Sequence, residues 1–165
     1  MIKSKKISND GIKAKGFYRL QVTEGGEVVG DSGWHLNQVT NDGFREYLVY
    51  SLGSIAGSKY VKYAALGTGT VPAAAATSLD GELTENANLR MAVTPTSVAG
   101  SKGVQFAFTL NSGVFTATAG YTIKNVGLFD ASVTSAGTVF AGNTYTTSAL
   151  ASNQAVNGSY QINFS

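Results

Sequence analysis

Alternation of apolar and polar residues runs through most of this chain and is clearest in its second half. Over Val104–Leu110 every second residue is apolar, while the residues between them are Gln, Ala and Thr. The same alternation covers Gly16–Thr23, where Tyr18, Leu20 and Val22 share one face. Side chains repeat with a period of two in a strand, so both segments are predicted to be half-buried β-strands.

The other predicted strands are short, and small or turn-forming residues separate them. They are Glu27–Val29, Trp34–Val39, Lys59–Leu66, Leu89–Thr94, Val114–Thr118, Tyr121–Phe129, Thr138–Ala141, Thr144–Leu150 and Tyr160–Phe164. Glu24-Gly25-Gly26 predicts a hairpin turn after the first strand, and Asn157-Gly158 predicts one before the last. Pro95 is expected to stop the strand that starts at Leu89, because proline cannot donate to a sheet ladder.

One segment has helical spacing instead. Phe44, Tyr47, Leu48 and Leu52 recur at intervals of three and four, Thr40 or Asn41 can cap the start, and Gly53 can end the helix. Many short strands with one short helix predict a mainly β fold, a β-sandwich or jelly-roll-like single domain. A chain of 165 residues can bury roughly 70% of its unfolded surface in one core.

Charge is distributed unevenly along the chain. Lys3, Lys5, Lys6, Lys13 and Lys15 face only Asp10 in the first fifteen residues, whereas Lys102, Lys124 and Asp130 are the only charges after residue 90. We therefore divide the chain into a basic N-terminal arm, 1–15, and a β-rich structural domain, 16–165. The neutral half can be a mildly polar solvent-facing surface or one that neighbouring chains cover; missing edge charges favour the covered surface.

Composition limits where the protein works and what it binds. No apolar run reaches the ~20 residues of a membrane span, and the N-terminus lacks a signal-peptide pattern, so we expect no membrane partner and synthesis in the cytoplasm. A net charge of only +2, with no aromatic residues interleaved among the arm lysines, argues against a nucleic-acid partner. The arm is better suited to an acidic protein surface or to solvent.

No combination of residues completes a catalytic or metal site. Gly30-Asp31-Ser32-Gly33 resembles a protease nucleophile sequence, but no histidine precedes Ser32, and a turn is the preferred interpretation. His35 can be a pH switch, although a surface or satisfied core role is more typical. Asp80, Glu82 and Glu85 can contribute to a calcium site, but a solvated loop is favoured. We expect no enzyme activity, cofactor or metal.

Five motifs in order resemble tailed-bacteriophage virion proteins of the tail-fibre, tail-collar and minor structural kinds. They are Gly16-Phe17-Tyr18-Arg19-Leu20, Asp31-Ser32-Gly33-Trp34, Asn37-Gln38-Val39-Thr40-Asn41-Asp42-Gly43, Ala65-Leu66-Gly67-Thr68-Gly69 followed by Pro72, Leu79 and Glu82, and Val126-Gly127-Leu128-Phe129-Asp130. The resemblance implies a β-rich virion component, made in the host cytoplasm, without catalytic residues. Candidate structural positions are Trp34, Asn37, Gly67, Gly69, Gly127 and Phe129.

The resemblance leaves the place in the virion open. The sequence stops at Ser165, without the shaft of a long fibre, which favours an accessory protein on the capsid exterior or head–tail region, of the decoration or neck type. A tail-fibre or collar-fibre anchoring module and a carbohydrate- or receptor-binding β-sandwich are the alternatives. Expected partners are capsid, neck or tail proteins and further copies of the chain, with the five arm lysines as a candidate docking arm.

Overall fold

The computed structural model describes residues 11–84, 89–97, 100–114, 121–134 and 136–165, and for 145–148 it describes the backbone only. Its strands are β1 Ala14–Glu24, β2 Glu27–Asp31, β3 His35–Val39, β4 Tyr63–Gly67, β5 Met91–Ala92, β6 Thr94–Thr96, β7 Gly103–Leu110, β8 Tyr121–Phe129, β9 Val139–Leu150 and β10 Gln154–Phe164. A π-helix, Gly43–Val49, continues into one α-helical turn, Tyr50–Leu52. The mainly β prediction with one short helix is confirmed.

All the described strands belong to one antiparallel sheet that folds back on itself. The order is β5-β4-β8-β9-β3-β1-β10-β7-β6, with β2 added beside β1. At one corner the start of β3 pairs with β1 and its end pairs with β9. At the other corner β5 pairs with β4 and β6 pairs with β7, and only Val93 separates them. These two corners join the ends of the sheet into a nearly closed barrel with a sandwich-like core.

Local chemistry accounts for several of the elements. Gly25 and Gly26 have φ values of +59° and +92°, as the predicted hairpin turn between β1 and β2 requires. The Thr40 hydroxyl accepts a hydrogen bond from the Gly43 N–H at 2.9 Å and donates to the Val139 carbonyl at 2.7 Å. Thr40 therefore ties the start of the helical segment to β9. The N-cap position itself is Asp42, whose side chain makes no capping hydrogen bond, in place of the predicted Thr40 or Asn41.

Several predicted strand boundaries differ from those in the structure, and one predicted strand lies mostly outside the described residues. Thr138–Ala141 and Thr144–Leu150 are one strand, β9, which pairs along nearly all of β8 with two register shifts. Pro95 lies inside β6, at the end of the sheet order, where its missing N–H removes no interior ladder bond. Of the predicted strand Val114–Thr118, only Val114 lies within the described residues, and it is outside any strand.

The predicted turn at Asn157-Gly158 is also wrong, since both residues lie in the middle of β10. Gly158 pairs with Leu20 on one side and with Phe108 on the other. A Cβ at Gly158 would collide with the ring carbons of Phe108. Position 158 requires glycine because the Phe108 ring occupies the space that a side chain would fill. Asn-Gly therefore occurs here for a packing reason, although the same dipeptide is typical of hairpin turns.

The core lies between the two halves of the folded sheet and contains several large aromatic residues. Tyr18 and Tyr160, opposite one another on β1 and β10, are almost completely buried, as are Phe106 and Phe108 on β7. The Tyr18 hydroxyl donates to the Thr144 carbonyl across the barrel. Burial raises the pKa of Tyr18 to about 12 and that of Tyr160 well above its ordinary value. Both rings are therefore held neutral as part of the core.

We predict that Gly158→Ala destabilises the fold by about 1–3 kcal/mol, the usual cost of overpacking a tight core. The measurement is a urea unfolding curve, with Gly11→Ala as the matched control, because a Cβ at Gly11 meets no atom within 4 Å. Adding Phe108→Leu should recover part of the loss. An unfolding midpoint equal to that of the wild type would contradict the packing of Phe108 on Gly158.

Candidate interaction surfaces

The segment Thr68–Thr84, called here the clamp loop, lies against the outer face of β4 and β8. Leu79 from this loop packs with Ala65, Phe129 and Val139 in a second, smaller hydrophobic cluster. The main chain adds a hydrogen bond from the Leu83 N–H to the Leu66 carbonyl at 3.0 Å. This part of the sheet is therefore buried on both faces, which explains why Ala64, Ala65 and Leu66 are all buried.

Three of the candidate glycines permit this close packing. A Cβ at Gly67 would collide with the Asn125 side chain, and one at Gly69 would collide with Asp80. A Cβ at Gly127 would lie 3.1 Å from the Phe129 ring and 3.3 Å from Leu79. Gly67 and Gly127 thus let the clamp loop approach the sheet, Gly69 lets two parts of the loop approach each other, and Phe129 packs beneath the loop with Leu79.

Two polar side chains fix the path of the clamp loop. The buried Asn125 amide donates to the carbonyls of Thr70 and Asp80, both at 2.8 Å. One Asp80 carboxylate oxygen accepts hydrogen bonds from the Thr70 N–H at 2.8 Å and from its hydroxyl at 2.9 Å. These bonds hold the pKa of the Asp80 carboxyl below its ordinary value. Asp80 is accordingly a loop-closing residue.

The only buried ion pair among the described residues joins Arg90 to Glu82. The Arg90 Nε and one Nη donate to the two Glu82 carboxylate oxygens at 2.6 and 3.0 Å, and both side chains are almost inaccessible. The remaining three N–H groups donate to the carbonyls of Ala131, Thr134 and Ala136. The guanidinium also lies over the Phe129 ring, 3.7 Å from its centroid. All five donors are used, so the group joins the clamp loop to the β8–β9 connection.

The sequence pattern does not predict this pair. It favours a solvated acidic loop of Asp80, Glu82 and Glu85, but the two described acids have separate structural partners, and Glu85 lies outside the described residues. The available signal was Arg90, a lone charge between Leu89 and Met91, which are both buried. Across the described residues, no group of three or more His, Asp or Glu side chains is arranged to hold a metal.

Asn37 and Trp34, the other two candidate positions, lie apart from the clamp loop. Asn37 points into the barrel beside Gly16, where its amide and the Tyr160 hydroxyl both come close to the glycine. The Asn37 amide atoms and the Tyr160 hydroxyl are buried without a hydrogen-bond partner in the protein, a pattern that an internal water would satisfy. Trp34 is 45% exposed just before β3.

The protease-like segment is not a turn over its whole length, since Gly30 and Asp31 end β2 and only Ser32 and Gly33 belong to the connection to β3. Asp31 accepts hydrogen bonds from Arg19, Gln21 and the Gly33 N–H, and these bonds lower the pKa of its carboxyl. The Ser32 hydroxyl donates to the Gly33 carbonyl at 2.8 Å, and the His35 Nε2 lies 2.6 Å from the Ser32 carbonyl oxygen. The serine hydroxyl is thus directed at the main chain, and His35 contacts a carbonyl.

Two of the candidate arm lysines fall within the described residues. Lys13 is exposed and its main chain pairs in both directions with that of Ser165, while Lys15 lies exposed in β1 opposite Asn163. Lys3, Lys5 and Lys6 lie outside the described residues. The described part of the arm therefore starts beside the end of β10.

The outward side of β7 and β10 forms a neutral face, defined by Gln105, Thr109, Asn157, Ser159 and Gln161. Its side chains bond across the strands: Thr109 to Asn157 at 2.8 Å and Gln161 to Gln105 at 3.0 Å. At one end a depression of about 250 Å³ is lined by Gln105, Gln161, Asn163, Thr96 and Ser101, with Gly103 and Val104. This face offers many donors and acceptors and no charge.

An apolar groove opens at the end of the barrel where β1 begins and β10 ends. Three depressions of about 160, 260 and 300 Å³ share Phe164 as a wall. We define the groove by six residues that line these depressions: Ile12, Leu48, Leu52, Tyr60, Val104 and Phe164. Leu52 is 86% exposed there and Ile12 is 81% exposed. Apolar side chains this exposed, grouped in one place, are typical of an interaction site.

Comparison with protein-family models, curated proteins and solved structures finds no match to this chain. Within the described residues, no helix is long and apolar enough to cross a membrane. The resemblance to phage virion proteins therefore stays a prediction.

We predict that Glu82→Gln lowers the free energy of unfolding by about 3 kcal/mol, because it leaves the Arg90 charge buried without its partner. Asp31→Asn is the matched control, since it breaks the exposed pair with Arg19 and should have a much smaller effect. Chemical denaturation of both variants gives the comparison. Equal losses in the two variants would contradict a special role for the buried pair.

Proposed function

We propose that this chain is a non-enzymatic structural component of a tailed-phage virion, an accessory protein that docks on the capsid exterior or head–tail region. A tail-fibre or collar-fibre anchoring module is the alternative placement. The five ordered motifs suggest the family. The observation that carries a structural role is the combination of an uncharged sheet face with a strongly exposed apolar groove.

Both surfaces favour contact with other proteins. A free monomer rarely exposes grouped apolar side chains, and covering them releases water and stabilises the complex. The neutral face can be buried at low desolvation cost because it contains no ions, and its amide and hydroxyl groups can exchange water for a partner's main chain. A rigid barrel with two such surfaces suits a lattice in which each subunit contacts several neighbours.

The motif residues support the same role. Gly67, Gly69, Gly127 and Phe129 seat the clamp loop, and Asp80 and Glu82 are both engaged in its internal bonds. These contacts and hydrogen bonds hold the clamp loop rigidly on the sheet, and a structural subunit needs such rigidity.

We predict that the protein is present in purified virions at a fixed stoichiometry. Quantitative mass spectrometry of the particles measures its copy number against the major capsid protein. A copy number near that of the capsid protein supports decoration, whereas a few symmetric sets support a neck or fibre-anchor position. Absence from purified virions would overturn the proposal.

The arm can be tested in the same particles. A chain lacking residues 1–10 should attach more weakly at low salt, because the lysines lost can pair with an acidic surface. The difference should shrink as salt rises, since exposed charges are then screened. The same deletion leaves β1 intact, because that strand starts at Ala14.

A carbohydrate- or receptor-binding role is the second candidate, and the 250 Å³ depression on the neutral face favours it. Amide and hydroxyl side chains without charge match the hydroxyl groups of a neutral glycan. We predict that, under this alternative, a glycan array gives a saturable signal that Gln161→Ala removes and the exposed Gln38→Ala retains. An array without a signal would contradict the carbohydrate-binding role and would leave the structural role as the only candidate.

A further inference from the structure

We infer that copies of this chain associate head to tail, with the β1–β2 hairpin of one copy docking in the apolar groove of the next. This contact goes beyond the proposed function and does not depend on it. The inference rests on two complementary surfaces at opposite ends of the same strand.

The groove end is apolar at its centre and basic at its rim. Lys102 lines the groove beside Ile12 and Phe164, and Lys62 lies over the Tyr60 ring, with its Nζ 4.3 Å from the ring centroid. Lys13 adjoins the rim through its main-chain bonds to Ser165. Among the described residues no carboxylate lies within 4.0 Å of these three lysines, while Lys59 is already paired with Glu46. An occupant with apolar side chains flanked by acids would match this surface.

The β1–β2 hairpin has that composition. Val28 and Val29 are 55% and 56% exposed, and the acids Glu24, Glu27 and Asp31 lie around them. Asp31 is paired with Arg19, whereas Glu24 accepts, within the described part of the chain, only neutral amide bonds from Asn153 and Gln154. The hairpin therefore carries uncompensated negative charge beside two exposed valines.

The edge position of β2 leaves its exposed side chains accessible to a partner. In the described sheet β2 pairs only with β1, so its other side is a free edge. Free edges are normally protected by lysine, proline or a bulge that turns the strand away. β2 has such a bulge, because Val22 pairs with Gly30 and Thr23 pairs with Val28, which leaves Val29 as an extra residue. The exposed valines and the acidic charges of the strand, and not its backbone edge, therefore permit approach by a basic surface and oppose pairing between two hairpins.

The groove and the hairpin are different surfaces, at opposite ends of the molecule. Phe164 lies opposite Ala14 at the start of β1, and Gln154 lies opposite Glu24 at its end. The groove and the hairpin are therefore separated by the length of an eleven-residue strand, about 33 Å at 3.3 Å per residue. One copy cannot satisfy its own groove. Contacts repeated in one direction form a ring or a filament, whereas two antiparallel copies that exchange hairpins would form a closed dimer, and sedimentation velocity distinguishes that dimer from larger species.

The basic arm is a poor occupant of the groove. Its lysines would meet the lysines of the rim, and like charges this close oppose binding. The acidic hairpin of a second copy is favoured by the same electrostatic argument.

The test mixes two variants, each with one surface destroyed. Leu52→Asp places a charge in the groove, and Val28→Asp places a charge on the hairpin; both positions are exposed, so folding should be retained, as circular dichroism can verify. Sedimentation velocity of the wild type should show species larger than a dimer, or a closed ring, as concentration rises. Each variant alone should associate at least about tenfold more weakly, equivalent to about 1.4 kcal/mol.

The equimolar mixture decides the outcome. It should form a heterodimer and stop there, because the Leu52→Asp chain keeps its hairpin and the Val28→Asp chain keeps its groove. Val71→Asp, at an exposed position outside both surfaces, is the matched control and should associate like the wild type. Lys102→Glu should also weaken association, and the wild-type contact should weaken near 1 M salt, where the screening length is about 3 Å.

Three results would overturn the inference. They are a wild-type chain that stays monomeric up to about 1 mM, a mixture of the two variants that stays monomeric, and a single variant that associates as the wild type does. Each of these leaves the virion role untouched, since a monomer can still dock on a capsid or tail.

Discussion

The buried Arg90 guanidinium is the interaction on which most of this fold depends. It precedes β5 by one residue, at the corner where the chain crosses from one half of the sheet to the other. From there it reaches the clamp loop through Glu82 and the β8–β9 connection through three carbonyls. Burying such a charge is costly unless every donor is satisfied, so the segments around it must take one arrangement together.

This constraint explains how a chain with few charges keeps a unique structure. Hydrophobic burial alone tolerates strand slippage, since a sheet with similar residues on both faces specifies its register weakly. β4 is buried on both faces and gives little alternation from which to fix its register. The Arg90 pair, the Asn125 amide and the tight contacts at Gly67 and Gly69 supply that specificity through directional bonds and steric exclusion.

The sequence predicts those elements whose pattern has a single physical cause. The alternation over Val104–Leu110 reflects one buried and one exposed face, and it yields β7 almost residue for residue. Gly25-Gly26 is predictable because positive φ is needed there. Asn157-Gly158 is not, because a hairpin and a ring packed over a strand both require glycine, and the choice depends on Phe108, fifty residues away. The Arg90–Glu82 pair is hidden for a similar reason, since no local spacing marks a partner reached through the folded sheet.

The candidate motif residues illustrate the same limit on function. The resemblance selects four positions in this region: Gly67, Gly69, Gly127 and Phe129. All four contact or belong to the clamp loop, and these contacts indicate a packing role. The exposed features lie elsewhere, at the two ends of β1, and neither end has a distinctive motif. Val28 and Leu52 are ordinary apolar residues in the sequence, and only the fold shows that each is exposed.

Because the hairpin is acidic and the groove rim is basic, the two ends of the barrel along β1 carry opposite charge. Two copies side by side and parallel would place like charges together, whereas a head-to-tail arrangement pairs opposite charges at every contact. The self-association that we infer therefore rests on the charge difference between the two ends of a single strand, and it needs no symmetry within the subunit.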